Sequence, residues 1–493
     1  MGVTHKLDYE KVAKYLAFIV VLLGIALRFT IYFQNRNLFQ DEANVARNIY
    51  ERDFIGLLSP LSYSQYAPPL FLWALKMMTV LFGYGERALR VSALLNSFGA
   101  LCLMYLVLRK FGVKYSAWYP LSFLATGYIY LRYATEVKQY SSDGFIALLI
   151  VYAALSIDLV DTKPIRFFII WALLGTIVIW SSMPSVFVLA GAGVYYFTIV
   201  MDSKAYSKAF LVLTAGGIWL VQFLFYYLTI LRPQSQSGYL QNCHIQNFLF
   251  FLPSSMAEWK QNYTIFINVI SVTAGHWTLT VIFHLFLASV TVYYAIKYRI
   301  AKLLLLFVPI ILTLLAAGLH EFALTPRLIL FLLYMNLIIL GIGLERILSM
   351  KLIYVNALIL ILSIVCIFNF SRLDYFYNKM VLEEIADSFD FLMKERIPTD
   401  HLFVYASANP AYVYYTSIHP EQKQWNSLKG AKMLKFDANF DLIGRSFSGK
   451  NALIYSWEES DKITAQQNMI NAHIKTVKTY LGRGSKVYIY DQQ

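Results

Sequence analysis

Charge is scarce in this chain. Of its 493 residues only 14% are charged, against roughly 25% in soluble domains. Cysteine is scarcer still. Three residues give no disulfide framework, and no CxxC spacing offers a thiolate metal site. Cys102 and Cys366 lie inside apolar runs and read as small core residues, while Cys243 stands alone in a polar loop. There is no GxGxxG and no GxxxxGK[ST], so a nucleotide site is not indicated. There is no HExxH and no GxSxG, so zinc proteolysis and serine hydrolysis are poor fits.

Apolar surface is what the chain has in quantity. It is 58% hydrophobic and 17% aromatic. Runs such as "YLAFIVVLLGIALRFTIYF" and "AKLLLLFVPIILTLLAAGL" are unbroken, where barrel strands would alternate over about ten residues. The spans are therefore helices, because only a helix satisfies its own backbone in hydrocarbon. The predicted spans are 14–33, 88–108, 115–131, 141–160, 165–182, 184–201, 207–231, 277–297, 301–319, 326–345 and 351–370. The first is too long for a cleaved signal peptide and lacks a small-residue cleavage pattern.

A further run, "PPLFLWALKMMTVLFG", contains Lys76 and opens on two prolines. It is shorter than the about twenty residues that a span needs, so it reads as a helix lying on the surface. Eleven spans remain, and the basic residues then agree on one side. Lys6, Lys11 and Lys14, Arg109, Lys110 and Lys114, Lys163 and Arg166, Lys204 and Lys208, Lys297, Arg299 and Lys302, and Arg346 and Lys351 fall in alternate short loops, which the positive-inside rule assigns to the cytoplasm. That distribution accounts for the net charge of +13 without a nucleic-acid partner, since no basic patch is interleaved with stacking aromatics outside the membrane. The loops at 34–87, 132–140, 232–276 and 320–325 then face away from the cytoplasm, as does everything after 371.

The tail changes character. "LEEIADSFDFLMKERIP" has helical spacing and ends before Pro398. "HLFVYA", "NALIYSW" and "KVYIYD" read as short buried strands. "NPAYVYYTS" and "ITAQQNMINAHIKTV" between them read as helices. The pattern predicts a small α/β domain at 371–493 behind an all-α transmembrane domain at 1–370.

Three outer-face stretches carry the chemistry. "NLFQDEANVARNIY" places Asp41 and Glu42 side by side at the lip of the membrane. They open a stretch of amphipathic spacing. A carboxylate fixed there can take a proton from an attacking hydroxyl or amine, or simply favour a helix dipole. "LRYATEVKQYSSDGF" gathers Arg132, Glu136, Lys138, Tyr140 and Asp143 on one short turn. A snorkelling collar would favour one sign of charge, whereas this stretch mixes acids, bases and hydroxyls as a polar site does. "HEFALTPRLIL" sets Arg327 at the outer end of an apolar helix, just after Pro326. Arginine is the favoured planar donor to phosphate oxygens, and a lipid phosphate lies at that depth. An interfacial anchor is the plainer role for the same residue.

Together these stretches resemble the polyprenol-phosphate-sugar-dependent GT-C glycosyltransferases, the superfamily of protein O-mannosyltransferases and of bacterial enzymes that add aminoarabinose to lipid A. The likeness covers about residues 10–370. The Asp-Glu pair follows span one. "YAPPLFLWALKMMTVLFGYGERALRVSALL" is similar to the family's Tyr, two prolines, hydrophobic helix, Gly, then Arg before span two. "TEVKQYS" resembles its second acidic motif and "TPRLILFL" its late Arg motif. Tyr66-Ala67 stands where some lipid-A-modifying members carry an acidic-basic pair, which points away from aminoarabinose chemistry and from a metal. Leu328 stands where many relatives have Tyr.

The resemblance implies a GT-C fold with interfacial helices in the first outer loop and a C-terminal outer domain. It implies an inverting transfer of a sugar from a polyprenyl-phosphate donor to a lipid, glycan or protein acceptor, at the outer face of the cytoplasmic (inner) membrane. In that reading Asp41 is the base or acceptor-orienting carboxylate, and Glu42 stands with it at the reacting centre. Tyr66, Arg90, Glu136, Lys138, Tyr140 and Asp143 shape the sugar or acceptor pocket, and Arg327 with Lys76 holds the donor phosphate. No cofactor is required; a divalent metal is compatible with the chemistry but not indicated. Two other readings stay open. A polysaccharide ligase or polymerase would use a pyrophosphate-linked donor, with Lys76 and Lys138 adding positive charge. A transporter or flippase would place charges near mid-membrane, where these runs are almost free of them.

Overall fold

The computed structural model describes residues 8–235, 244–275, 277–350 and 352–491; Lys6, Cys243 and Lys351 lie outside them. Contacts sort the chain into two compact units. The first is Met1–Thr30, Tyr66–Phe71 and Ala93–Phe376; the second is Ile31–Gln65, Leu72–Ser92 and Tyr377–Gln493. Composition divides the chain at 370. Contacts give the tail, in addition, most of the loop at 34–87.

Among the described residues nine helices are long and apolar enough to cross a bilayer, and the protein is a multi-pass membrane protein. In chain order the elements begin with α1 (Tyr9–Phe33), α2 (Gln40–Glu51), α3 (Pro69–Phe82) and α4 (Glu86–Lys110). They continue with α5 (Trp118–Thr126), α6 (Tyr128–Ala134), α7 (Tyr140–Ser156), α8 (Pro164–Ser181), α9 (Ser185–Asp202) and α10 (Ala209–Tyr226). Four more apolar helices follow at Thr278–Tyr298, Leu304–Gly318, Leu330–Leu348 and Ile353–Phe370. The run with Lys76 is α3. Its 14 residues reach about 21 Å at 1.5 Å per residue, short of a hydrocarbon core of about 30 Å.

The third and fourth of the eleven predicted spans do not form one full-length helix, and the seventh, 207–231, ends in a π-helical stretch over Tyr227–Leu231. The third, predicted over 115–131, is α5 and α6 with a break at Gly127, whose backbone is extended at φ −74° and ψ 139°. A Cβ there would lie 2.3 Å from the Phe370 ring and 2.7 Å from the Phe123 carbonyl oxygen, so only glycine fits the bend. The fourth is α7, 17 residues rather than a full-length span. The loop at 232–276 also contains a helix that the sequence reading missed, Met256–Ala274, capped by the Ser255 side chain on the Glu258 N–H. Cys366 is buried as predicted, but Cys102 is exposed on α4. A small apolar residue of a membrane helix can face lipid as well as core, and hydropathy does not separate the two.

Helix Leu330–Leu348 is the heart of the first unit, with 89% of its apolar stretch buried. A buried cation helps to join the helices around it. Arg28 of α1 donates from Nε to Ser97 Oγ at 2.5 Å, from Nη1 to the Gly24 and Ala125 carbonyls at 3.0 Å each, and from Nη2 to the Leu124 carbonyl at 2.7 Å. Gly24 permits the approach, since a Cβ there would stand 2.8 Å from that of Ala125.

The second unit is built on a five-stranded sheet of β1 (Leu402–Val404), β2 (Lys432–Met433), β3 (Asn451–Ser456), β4 (Thr476–Gly482) and β5 (Ser485–Tyr490), in the order β2-β1-β3-β5-β4. β1 runs parallel to β2 and β3; β5 is antiparallel to β3 and β4. Helices Ile385–Lys394, Asn409–Val413 and Ser460–Asn471 accompany the strands, so the tail is α/β. All three predicted strands are present. The predicted helix over 463–477 stops at Asn471, and its last residues begin β4. "LGRGSK" is the hairpin turn between β4 and β5.

Candidate active site

In the second unit the acidic pair opens α2, with Asp41 and Glu42 in its first turn. The N-cap residue is Phe39, which has no side-chain acceptor, so the helix must find partners for its first N–H groups elsewhere. Glu42 supplies one, accepting from the Phe39 N–H at 3.4 Å. The Glu42 carboxylate is fully buried and faces two arginines. Arg90 donates from Nε to Oε1 at 3.1 Å and from Nη2 to Oε2 at 2.9 Å, and Arg36 Nη2 lies 3.7 Å from Oε1. Arg90 also donates to the Arg36 carbonyl at 2.5 Å and the Asn37 carbonyl at 3.2 Å. Glu42 and Arg90 thus form one frame around the turn that enters α2. Asp41, beside them, is half-buried, and its Oδ1 accepts from Gln65 Nε2 at 3.4 Å. Lys76 turns its ammonium towards α2, donating to the Ile49 carbonyl at 2.7 Å and to the Tyr84 hydroxyl at 3.2 Å.

In the first unit a second polar group forms between α6, α7, the segment that holds Tyr66, and the turn that carries Arg327. Glu136, Lys138, Tyr140 and Asp143 are all buried. Arg132 Nε donates to Glu136 Oε2 at 2.8 Å, and the Tyr133 and Tyr140 rings meet edge-on at 4.9 Å. Burial pushes the Tyr66 phenol up; the Asp143 carboxylate and Tyr226 add to this, and the Arg327 guanidinium opposes it. Burial likewise pushes the Tyr133 phenol up, with Glu136 adding to it and Arg132 and Arg327 opposing. Arg327, in the turn before helix Leu330–Leu348, therefore acts on both sides of the group. Among the described residues the buried Ser142 Oγ and Tyr226 hydroxyl have no hydrogen-bond partner, while the Asp143 carboxyl group interacts with the Ser182 hydroxyl. Buried polar groups are ordinarily paired, so the Tyr226 hydroxyl, beside Asp143, is open to a polar ligand.

Each unit thus collects part of the predicted set: Asp41, Glu42, Lys76 and Arg90 in the second, and Tyr66, Glu136, Lys138, Tyr140, Asp143 and Arg327 in the first. Sequence reasoning missed Arg36, Ser182, Tyr226 and Glu383. The Glu383 carboxyl group accepts from the Gln40 N–H at 3.2 Å, next to Asp41. None of the four sits in a motif. The one available signal is Arg36, a second arginine close behind the first span.

No family model matches the sequence, and no curated protein does. Solved structures match over nearly the whole length. ArnT from Cupriavidus metallidurans in the apo state superposes with a TM-score of 0.56 at 12% identity, covering 97% of this chain and 98% of that one. The same protein bound to undecaprenyl phosphate superposes with a TM-score of 0.55 at 14% identity, covering 95% of this chain and 97% of that one. The likeness read from the motifs and the likeness of the fold point the same way. Over 95–97% of its length, the chain has the fold of ArnT.

Proposed function

We propose that the protein is an inverting glycosyltransferase that moves a sugar from a polyprenyl-phosphate donor to a lipid, glycan or protein acceptor. The observation that carries this reading is the full-length fold likeness to ArnT, one of whose structures holds undecaprenyl phosphate. The buried Tyr226 hydroxyl beside Asp143 supports it, because a sugar presents hydroxyls able to pair with it. The alternation of basic loops supports placing the work at the outer face of the cytoplasmic membrane.

In this mechanism the acceptor O–H or N–H gives its proton to Asp41 as its lone pair attacks the anomeric carbon. The bond from that carbon to the lipid phosphate oxygen breaks, and its electron pair leaves with the polyprenyl phosphate. The Arg327 guanidinium meets the charge that develops there. Glu42 and Arg90 hold the turn that presents Asp41, while Asp143, Glu136, Lys138, Tyr140 and Tyr66 shape the sugar pocket. A single phosphate leaving group can be neutralised by arginine and lysine, so the step needs no cofactor.

The test is transfer of label. Protein in nanodiscs is supplied with radiolabelled undecaprenyl-phosphate sugars and an envelope extract as acceptor, and the products are separated. Label should move to acceptor in the native protein and remain on the lipid in Asp41→Asn. Native protein that moves no label from any polyprenyl-phosphate sugar offered, while a control GT-C enzyme does, would overturn the reading.

A further inference from the structure

The α/β tail does more than follow the membrane domain in sequence. Within the second unit three successive backbone N–H groups at the entry to α2 are each held by a side chain. The Tyr415 hydroxyl accepts from Leu38 at 2.9 Å, Glu42 Oε2 from Phe39 at 3.4 Å, and Glu383 Oε2 from Gln40 at 3.2 Å. Two of these three acceptors come from the tail, more than 300 positions away. Gln40 is the first helical residue of α2, so Glu383 takes up one of the N–H groups that the helix leaves open at its start.

Each tail acceptor is itself fixed. Ser456 Oγ at the end of β3 donates to Glu383 Oε1 at 2.6 Å, and Glu383 is 1% exposed. The Tyr415 hydroxyl passes its proton side to Glu86 Oε1 at 2.9 Å, and His419 Nε2 holds Glu86 Oε2 at 3.0 Å. A buried, fully bonded acceptor sets the backbone it caps more narrowly than water would. The residue that follows Gln40 is Asp41.

We propose that Glu383 is a positioning residue for the transfer reaction: by capping the first turn of α2 it fixes the backbone that presents Asp41, with the Tyr415 hydroxyl holding the Leu38 N–H two residues before Gln40. This rests on the reading of Asp41 as the base. It gives the tail a role in the chemistry without any contact with substrate, since a carboxylate that wanders by about 1 Å loses on the order of a hundredfold in rate.

The experiment uses the full chain in nanodiscs and compares Glu383→Leu, Glu383→Gln, Tyr415→Phe and Asp41→Asn. Leucine fills the site and removes the acceptor; glutamine keeps an acceptor oxygen for Gln40 and an N–H for Ser456. Hydrogen exchange of the peptide over 38–43 should quicken about tenfold in Glu383→Leu and in Tyr415→Phe, while peptides over 451–456 and 485–490 stay as protected as in the native chain. In the same two variants kcat should fall about tenfold with KM for undecaprenyl-phosphate sugar within about twofold. Glutamine should restore both. Native exchange and native kcat in Glu383→Leu would overturn the proposal; so would a Glu383→Gln as slow as Glu383→Leu. Asp41→Asn separates the two readings. Full transfer in that variant would remove the base and with it the need to position it, whereas a dead Asp41→Asn beside an unimpaired Glu383→Leu would sink the positioning role alone.

Discussion

Arg90 grips Glu42 at two points, Nε on Oε1 at 3.1 Å and Nη2 on Oε2 at 2.9 Å, with both side chains buried. Removing one partner of such a pair leaves the other charge stranded out of water, which costs about 3–5 kcal/mol. Arg90→Met should therefore lower the unfolding midpoint of the detergent-solubilised protein far more than Arg87→Met, four fifths of a turn away on the exposed side. Arg90→Lys should recover only part of the loss, since an ammonium cannot reproduce the fork. Equal midpoints for the two methionine variants would show that the pair does not hold the turn.

Asp41 and Glu42 are neighbours with different environments, so their isosteric variants should separate. Asp41→Asn is expected to cut transfer about 100- to 10,000-fold and leave the unfolding midpoint where it was. Glu42→Gln is expected to lower the midpoint, because Arg90 loses its counter-charge. Assaying both variants for transfer and for thermal unfolding checks the division; a stable, fully active Asp41→Asn contradicts it.

Arg327 should matter through the donor. Arg327→Ala is expected to weaken binding of undecaprenyl phosphate about ten- to a hundredfold, and Arg327→Lys by less, because lysine keeps the charge and loses the planar geometry. Titration of the lipid phosphate into the three forms decides it. Identical affinities would take Arg327 out of the phosphate site.

Stability should respond to pH through Glu383. Burial raises this carboxyl group from 4.5 to about 8; Glu42 adds to the rise, and the hydrogen bonds from Ser456, the Gln40 N–H and Trp457 oppose it. The folded chain thus keeps a proton that the unfolded chain gives up near 4.5. The stability this contributes is complete below about 4.5 and is lost as pH rises through about 8. Glu383→Gln cannot titrate, so its midpoint should fall less between pH 6 and pH 9 than that of the native chain. Parallel curves for the two proteins would exclude the contribution.

Sidedness has its own check. With the native cysteines replaced, a cysteine at Asp437 of the tail should react with an impermeant maleimide on intact cells, and one at Asp161, beside Lys163 and Arg166, only after permeabilisation. Both positions are exposed. Labelling of both from the same side would reverse the parity on which the outer-face assignment rests.

Much of the bilayer part was legible because hydropathy reports length and length decides what can cross. α3 was separated from the spans by its 14 residues and its lysine. The break at Gly127 was not legible, since one extended residue leaves the hydropathy of 115–131 unchanged. β4 was lost because "IKTVKTYLG" continues the polar-apolar spacing of the preceding helix, and its half-exposed face shows no buried run. The site was legible where residues cluster in sequence, as Asp41 with Glu42 and Glu136 with Lys138, Tyr140 and Asp143. It was not legible where the partner is remote. Glu383 meets Gln40 across 343 positions, and Tyr226 joins Asp143 from another helix, with no local pattern to announce either.

Arg28 carries a consequence for how the chain is made. Its guanidinium sits in α1, yet two of its four acceptors, the Leu124 and Ala125 carbonyls, belong to a segment translated nearly a hundred residues later. A lone arginine in a nascent helix opposes insertion by about 2.5–3.5 kcal/mol at mid-depth and by less towards the edge. The α1 segment therefore gains its full hold on the lipid only when α5 arrives, which ties the birth of the acidic loop after it to the completion of a bundle still emerging from the ribosome.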